Sequence, residues 1–178
     1  MAVIVVERTF SDPVPFERLA AMERAVSWCL EQYDVKARES FRARDGKYMV
    51  CIYEAPDAEA VRAVHRQSGL PYDEIWAAER LIPPGRADDF TGPPPGFQQV
   101  VVQRVFPMAV NLEICLEMFE RTRGCLDIYR TDHVSTYLAT AGTRAVCHYV
   151  APDTESVRLV SMQGGVPVER AWPAEHYT

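Results

Sequence analysis

Four histidines and two carboxylates, Glu7 and Glu39, are of types that could do chemistry, and His148 and Glu7 stand out among them because their surroundings are apolar. His148 interrupts the run Ala145–Ala151, and Glu7 follows directly on the β-branched stretch Val3–Val6. An imidazole is a frequent metal ligand and titrates near neutrality. A carboxylate facing an apolar interior needs a cation or hydrogen-bond donors to offset its desolvation. Each residue has two readings. His148 is either a core histidine bonded to a neighbouring strand or a ligand or acid/base group. Glu7 either faces inward or lies solvated at a strand end. His133 and Glu39 sit on extended segments, and His176 stands two residues before Thr178, where a chain end usually frays. His148, Glu7, His133 and His176 together form the candidate metal set. His65 lies near the end of a short helical pattern, where an imidazole complements the helix dipole. Tyr53, Tyr149, Trp76 and Trp172 are candidates for an aromatic pocket, with packing as the competing role.

Several familiar constellations are missing. The sequence has no Gly-rich phosphate loop, no G-x-S-x-G elbow, no H-E-x-x-H and no clustered Cys/His, so no nucleotide cofactor is expected and no motif demands catalysis. Lys and Arg number 19 against 25 Asp and Glu, a net charge of -6 without a basic tract, which argues against nucleic acid as a partner. No apolar window approaches the roughly 20 residues of a membrane span, and the start of the chain lacks the pattern of a signal peptide. A cytoplasmic location is the expectation. Five cysteines at wide spacing, with no C-x-x-C pair, fit reduced thiols better than a disulfide framework.

The residues that could do chemistry belong to an internal repeat. Val5-Val6-Glu7-Arg8-Thr9-Phe10 returns as Val101-Val102-Gln103-Arg104-Val105-Phe106, and Cys51-Ile52-Tyr53 returns as Cys147-His148-Tyr149. Both are displaced by 96 positions (101 − 5 and 147 − 51), and residues 5–82 share 28 identities with residues 101–178 at that offset without a gap. So many identities at one offset make each copy a supersecondary unit and set the domain expectation: repeat 1 over 1–82, a Pro/Gly-rich linker over 83–97 and repeat 2 over 98–178. The linker, with its Pro93-Pro94-Pro95 run, excludes a helix or a central strand and favours an extended tether.

Within a copy, Ala2–Thr9 reads as a strand, and Pro15–Tyr33 as one helix with apolar residues every three or four positions. Val35–Ala43 and Lys47–Glu54 alternate around Asp45-Gly46, a hairpin signature. Pro56-Asp57 opens a second helix that Gly69-Leu70-Pro71 stops, and Glu74–Leu81 is a last strand. The order β-α-β-β-α-β, twice over, predicts an α+β chain of two ferredoxin-like repeats. Both helices of a repeat cover one face of its antiparallel sheet. The bare faces then pack sheet to sheet as a dimeric α/β barrel-like pseudo-dimer, with ligand space between them. The chain would thus be an internal pseudo-dimer, monomeric or dimerising again.

Glu7-Arg8, Ser40-Phe41, Lys47-Tyr48-x-x-Cys51-Ile52-Tyr53-x-Ala55-Pro56 and Val61-Arg62 followed by Gly69-Leu70-Pro71 resemble the family catalogued as domain of unknown function 4242. In copy two the match runs through Arg104, Thr136-Tyr137, Cys147-His148-Tyr149-x-Ala151-Pro152, Val157-Arg158 and Gly164-Gly165-Val166-Pro167. The resemblance implies small ferredoxin-like proteins that form dimeric α/β barrels, with nickel binding in some members. Its second helix often carries a His shortly after the Arg. Here Val64 falls near that place, His65 follows one residue later, and copy two has Val160-Ser161. With Gln103 in place of Glu7 as well, any inherited metal site would be single and asymmetric.

Two functions follow as expectations. The first is a small binding protein that holds nickel or another divalent transition metal between the repeats, using His148 with help from Glu7, His133 or His176. The second is a cofactor-independent small-molecule enzyme of monooxygenase or isomerase type, in which His148 and Glu7 would be acid/base groups tuned by burial. A metal ion or a small-molecule ligand is therefore the expected partner.

Overall fold

The computed structural model describes all residues from Met1 to Thr178. The chain forms two compact units, Met1–Ala78 with Glu175–Thr178, and Glu79–Ala174. The first half carries β1 (Ala2–Thr9), α1 (Phe16–Ala25), α2 (Ser27–Gln32), β2 (Lys36–Ala43), β3 (Tyr48–Ala55), α3 (Ala58–Ser68) and β4 (Glu74–Leu81). The second half carries β5 (Gln98–Val105), α4 (Leu112–Ile128), β6 (Asp132–Ala139), β7 (Arg144–Ala151), α5 (Thr154–Gln163) and β8 (Arg170–Tyr177). The fold is α+β, with the ferredoxin-like element order in each half.

The pairing within each unit is antiparallel. Val5 stands opposite Ile52 on β3 and Trp76 on β4, and Phe41 of β2 stands opposite Val50. In unit 2 the register recurs with 96 added to each number: Val101 opposite His148 and Trp172, and Tyr137 opposite Val146. Directly opposed residues share a sheet face and successive residues alternate. One face of the unit 1 sheet therefore carries Ile4, Val6, Cys51 and Tyr53, which form a core with Leu19, Cys29, Val61 and Val64 of the helices. Its counterpart in unit 2 packs Val100, Val102, Cys147 and Tyr149 with Cys115 and Val157. Removing these aliphatic side chains from water is the main driving force holding helices to sheet, on the order of 2 kcal/mol for each large one.

Two local features depart from a plain reading of periodicity. The long first helix of copy one is broken: Val26 adopts φ -107°, ψ 3° between α1 and α2. At the break, the Ser27 hydroxyl donates to the Arg24 carbonyl at 3.0 Å, a local bond that competes with the helical ladder. In unit 2, α4 runs unbroken for 17 residues from an Asn111 cap whose side chain accepts from the Ile114 N–H. The second departure is a bulge in each second strand, between Ala37 and Glu39 and between His133 and Ser135. One extra residue there exchanges the faces of everything on either side of it.

Helix entry and exit follow local chemistry. Asp57 and Asp153 cap α3 and α5 by accepting from Ala60 and Ser156 N–H at 2.8 and 2.7 Å. Gly69 ends α3 in the left-handed region at φ 70°. The β6–β7 hairpin turns on Gly142 at φ +70°, where an added Cβ would sit 2.4 Å from the Val110 carbonyl oxygen, whereas a Cβ on Gly69 meets nothing. Gly142→Ala therefore carries both the left-handed penalty, about 1–2 kcal/mol, and a backbone clash, while Gly69→Ala carries the penalty alone. In urea titrations Gly142→Ala should be the clearly less stable of the two, and equal stabilities would contradict this account of the turn.

Candidate functional site

Each sheet has a second face, turned away from its own helices. On that face of unit 1 stand Glu7, Glu39, Phe41 and Trp76, because Glu7 opposes Val50, Glu39 opposes Ile52 and Trp76 opposes Val5. Glu7 is 6% exposed, so the inward alternative is the observed one, and the Trp76 indole N–H donates to its Oε1 at 2.7 Å. Glu39 Oε2 meets His176 Nε2 at 2.6 Å. The imidazole lies flat on the Phe41 ring, with centroids 4.6 Å apart and planes 8° from parallel. His176 is thus held inside β8 rather than frayed. Its neighbours anchor it further: Arg42 Nη1 donates to Glu175 at 2.9 Å, and the Tyr177 hydroxyl donates to the same carboxylate at 2.8 Å. Burial, then the Glu175 carboxylate, pushes the Tyr177 phenol up to about 12.

The second face of unit 2 repeats the geometry with different charge. The Trp172 indole donates to Gln103 Oε1 at 3.0 Å, so a neutral amide accepts where Glu7 does in unit 1. His148 opposes Val101 and Ser135 on this face. It is 3% exposed, and its ring meets Phe90 edge to face at 5.0 Å.

His133 lies on the other side. It opposes Tyr149, faces the helices and stacks on the Tyr149 ring at 4.4 Å, with Phe119 of α4 edge-on at 4.9 Å. Matching strand positions place His133 and Glu39 on equivalent faces, but the bulges overturn that. His133 precedes its bulge and faces the helices, whereas Glu39 follows its own and faces away. Burial, then the charge of Arg104, pushes the His133 imidazole down to about 3.

Beneath the helices each unit buries an arginine that has no carboxylate among its hydrogen-bond partners. Arg8 donates to the Pro71 carbonyl at 2.9 Å and to Cys51 Sγ at 2.7 Å, and its Nη2 lies 2.9 Å from His65 Nε2. Arg104 donates to the Pro167 carbonyl at 2.7 Å, to Cys147 Sγ at 3.3 Å, and to the Tyr149 and Ser161 hydroxyls at 3.1 Å each. Burial works against both charges, but the adjoining thiol and phenol outweigh it, and both guanidiniums are held above their ordinary value. His65 takes the consequence: burial, then the Arg8 charge, lowers it to about 4. These arginine centres were legible only as a charged residue recurring in two apolar strands.

The candidate metal residues do not converge. No group of three or more His, Cys, Asp or Glu side chains is placed to hold an ion. Glu7 and His176 belong to unit 1, and His133 and His148 to opposite faces of the unit 2 sheet. Glu39 and His176 form an imidazole–carboxylate pair within hydrogen-bond distance. The four aromatic candidates divide in the same way. Tyr53 and Tyr149 face the helices, while Trp76 and Trp172 face away, so within each unit the tyrosine and the tryptophan lie on opposite sides of the sheet.

A family model described as "Nickel responsive protein SCO4226-like" matches residues 5–77. The crystal structure of SCO4226 from Streptomyces coelicolor A3(2) is 23% identical, covering 42% of this chain and 91% of that one, with a TM-score of 0.39. Chlorite dismutase from Candidatus Nitrospira defluvii in complex with imidazole is 10% identical over 99% of this chain and 91% of that one, with a TM-score of 0.52. A tryptophan variant of that enzyme reaches 12% identity and a TM-score of 0.53 over 100% of this chain and 92% of that one. The last two likenesses show the fold, of the dimeric α/β barrel kind. None of the curated proteins matches the chain. No helix is long and apolar enough to cross a membrane.

The buried His133 makes stability depend on pH. Unfolded, it takes up a proton near its ordinary value of 6.5; folded, it resists until about 3. Stability from this group is complete above pH 6.5 and is lost as pH falls toward 3, by at most about 1.4 kcal/mol per pH unit. Unfolding titrations from pH 6.5 to 4.5 should show a shallower slope for His133→Ala, which places the residue of position 37. Parallel slopes would show that His133 protonates freely in the folded protein.

Proposed function

We propose that the protein binds a divalent transition metal, nickel foremost, with Glu39 and His176 of unit 1 as the protein donors. The observation that carries this reading is the 2.6 Å contact between His176 Nε2 and Glu39 Oε2 on a half-buried sheet face that also bears Glu7. An imidazole nitrogen and a carboxylate oxygen suit nickel by donor type, and Phe41 stacking fixes the ring. The two donors leave the remaining coordination positions to water, so the affinity is modest. Nickel binds at the expense of the proton that bridges the pair, so binding releases protons and weakens as pH falls.

Two further considerations support unit 1 as the place. The nickel-responsive family model matches residues 5–77, and the corresponding face of unit 2 has lost the carboxylates, with Gln103 for Glu7 and Ser135 for Glu39. His148 and His133, on opposite faces of their sheet, are then structural imidazoles. On this reading the chain is a tandem duplication, residues 1–82 and 98–178 joined by 83–97, of which one copy keeps the acidic face. A cytoplasmic location fits its free thiols.

Calorimetric titration with Ni²⁺ tests the proposal. Wild type should bind one equivalent with proton release. His176→Ala and Glu39→Gln should each weaken binding by about tenfold or more, and His148→Ala should leave it unchanged. Wild-type affinity in both pair variants, or loss in His148→Ala alone, would overturn the assignment.

A further inference from the structure

Unit 2 holds a small internal cavity of about 20 Å³ on the helix side of its sheet, bordered by Arg104, Cys115, Phe119, His133, Thr136 and Cys147. That is on the order of one water molecule. Cys147 Sγ is surrounded there by donors: Arg104 Nε at 3.3 Å and Thr136 Oγ1 at 3.2 Å both donate to it. His133 Nε2 closes on the same threonine hydroxyl at 2.8 Å. A guanidinium and a hydroxyl aimed at one sulfur stabilise negative charge on it, the condition that makes a cysteine nucleophilic. His133 and Phe119 also border an outer cleft of about 280 Å³ between Pro83–Arg86 and the side of α4.

We propose that Cys147 is a peroxide-reactive thiol, oxidised to a sulfenic acid by hydrogen peroxide that enters this cavity. The sulfur attacks one peroxide oxygen, so that an S–O bond forms as the O–O bond breaks. The thiol proton goes to the departing hydroxide, which leaves as water. Sulfur loses two electrons and the peroxide oxygens gain them. The Arg104 guanidinium and the Thr136 hydroxyl hold the charge that gathers on sulfur during attack. The size of the cavity restricts the oxidant to hydrogen peroxide and excludes bulky organic hydroperoxides. Nothing in this reaction depends on the metal proposal, whose residues lie in unit 1.

The test treats the full-length native protein with hydrogen peroxide for timed intervals, removes the peroxide with catalase, unfolds the protein in dimedone so that every sulfenic acid is reached, and maps the adducts by peptide mass spectrometry. Wild type should be labelled at Cys147 at least about tenfold faster than free cysteine at the same pH. Cumene hydroperoxide should show no such advantage. Cys147→Ser should abolish the fast adduct, and Thr136→Val, which keeps the thiol, should slow it severalfold while circular dichroism reports an unchanged fold. The half-buried Cys125 should react no faster than a free thiol. Fast labelling of Cys51 or Cys125 in place of Cys147, a Cys147 rate equal to that of free cysteine, or an unchanged rate in Thr136→Val would each overturn the proposal.

Discussion

Both units are organised around a guanidinium that sits inside the protein without a carboxylate among its hydrogen-bond partners. A charge so placed is tolerable only where oriented dipoles replace its lost water. Arg8 and Arg104 find theirs in a carbonyl 63 positions along the chain, at Pro71 and Pro167, and in a cysteine sulfur 43 positions along, at Cys51 and Cys147. Those bonds tie β1 to β3 and to the loop after α3 in unit 1, and β5 to β7 and to the loop after α5 in unit 2. The arginine explains why Gly-x-Pro closes both second helices, since the turn presents the accepting carbonyl. After burial, which is the larger cause, it also depresses the imidazoles of His65 and His133, which sit within the field of a cation that cannot give up its proton.

The same argument separates what the two copies share from what they do not. Trp76 reaches Glu7, and Trp172 reaches Gln103, each over 69 positions, so the acceptor geometry is kept while its charge changes. An indole N–H is satisfied by either oxygen, and packing alone gives no reason to prefer glutamate. Its retention in unit 1, on the face that also carries Glu39 and His176, makes that face the anionic one. On the helix side of unit 2, Thr136, Cys147 and His133 make a chain of contacts. The two units thus share one scaffold and differ in the polar groups that its faces carry.

Much of this was legible in the residues. The offset of 96 gives the register of every equivalent strand pair, and Asp57, Gly69 and Gly142 announce a cap, a stop and a turn. The faces of the second strands were not legible, because a bulge at Arg38 or Val134 has no compositional signature and reverses parity when it occurs. Strands with two buried faces also lack the polar alternation that would have exposed the error. The break at Val26 was hidden for a different reason. Its equivalent Thr122 stays helical, donating to the Met118 and Phe119 carbonyls, so local propensity at that position decides nothing.

The Pro/Gly segment is the remaining departure, and it bears on the asymmetry. Composition suggests a free tether, yet in unit 2 it is fastened at several points. Arg80 clasps Asp88 through two bonds of 2.6 and 2.8 Å, Arg86 pairs with Asp132, and Arg130 lies over the Phe97 ring at 5.1 Å. Ordering such a segment costs little, because proline has already surrendered its φ freedom in the unfolded chain. Weak surface ion pairs, each worth under about 1 kcal/mol, are then enough to hold it. The docked segment forms one wall of the cleft beside His133. The segment is thereby part of the structure of unit 2.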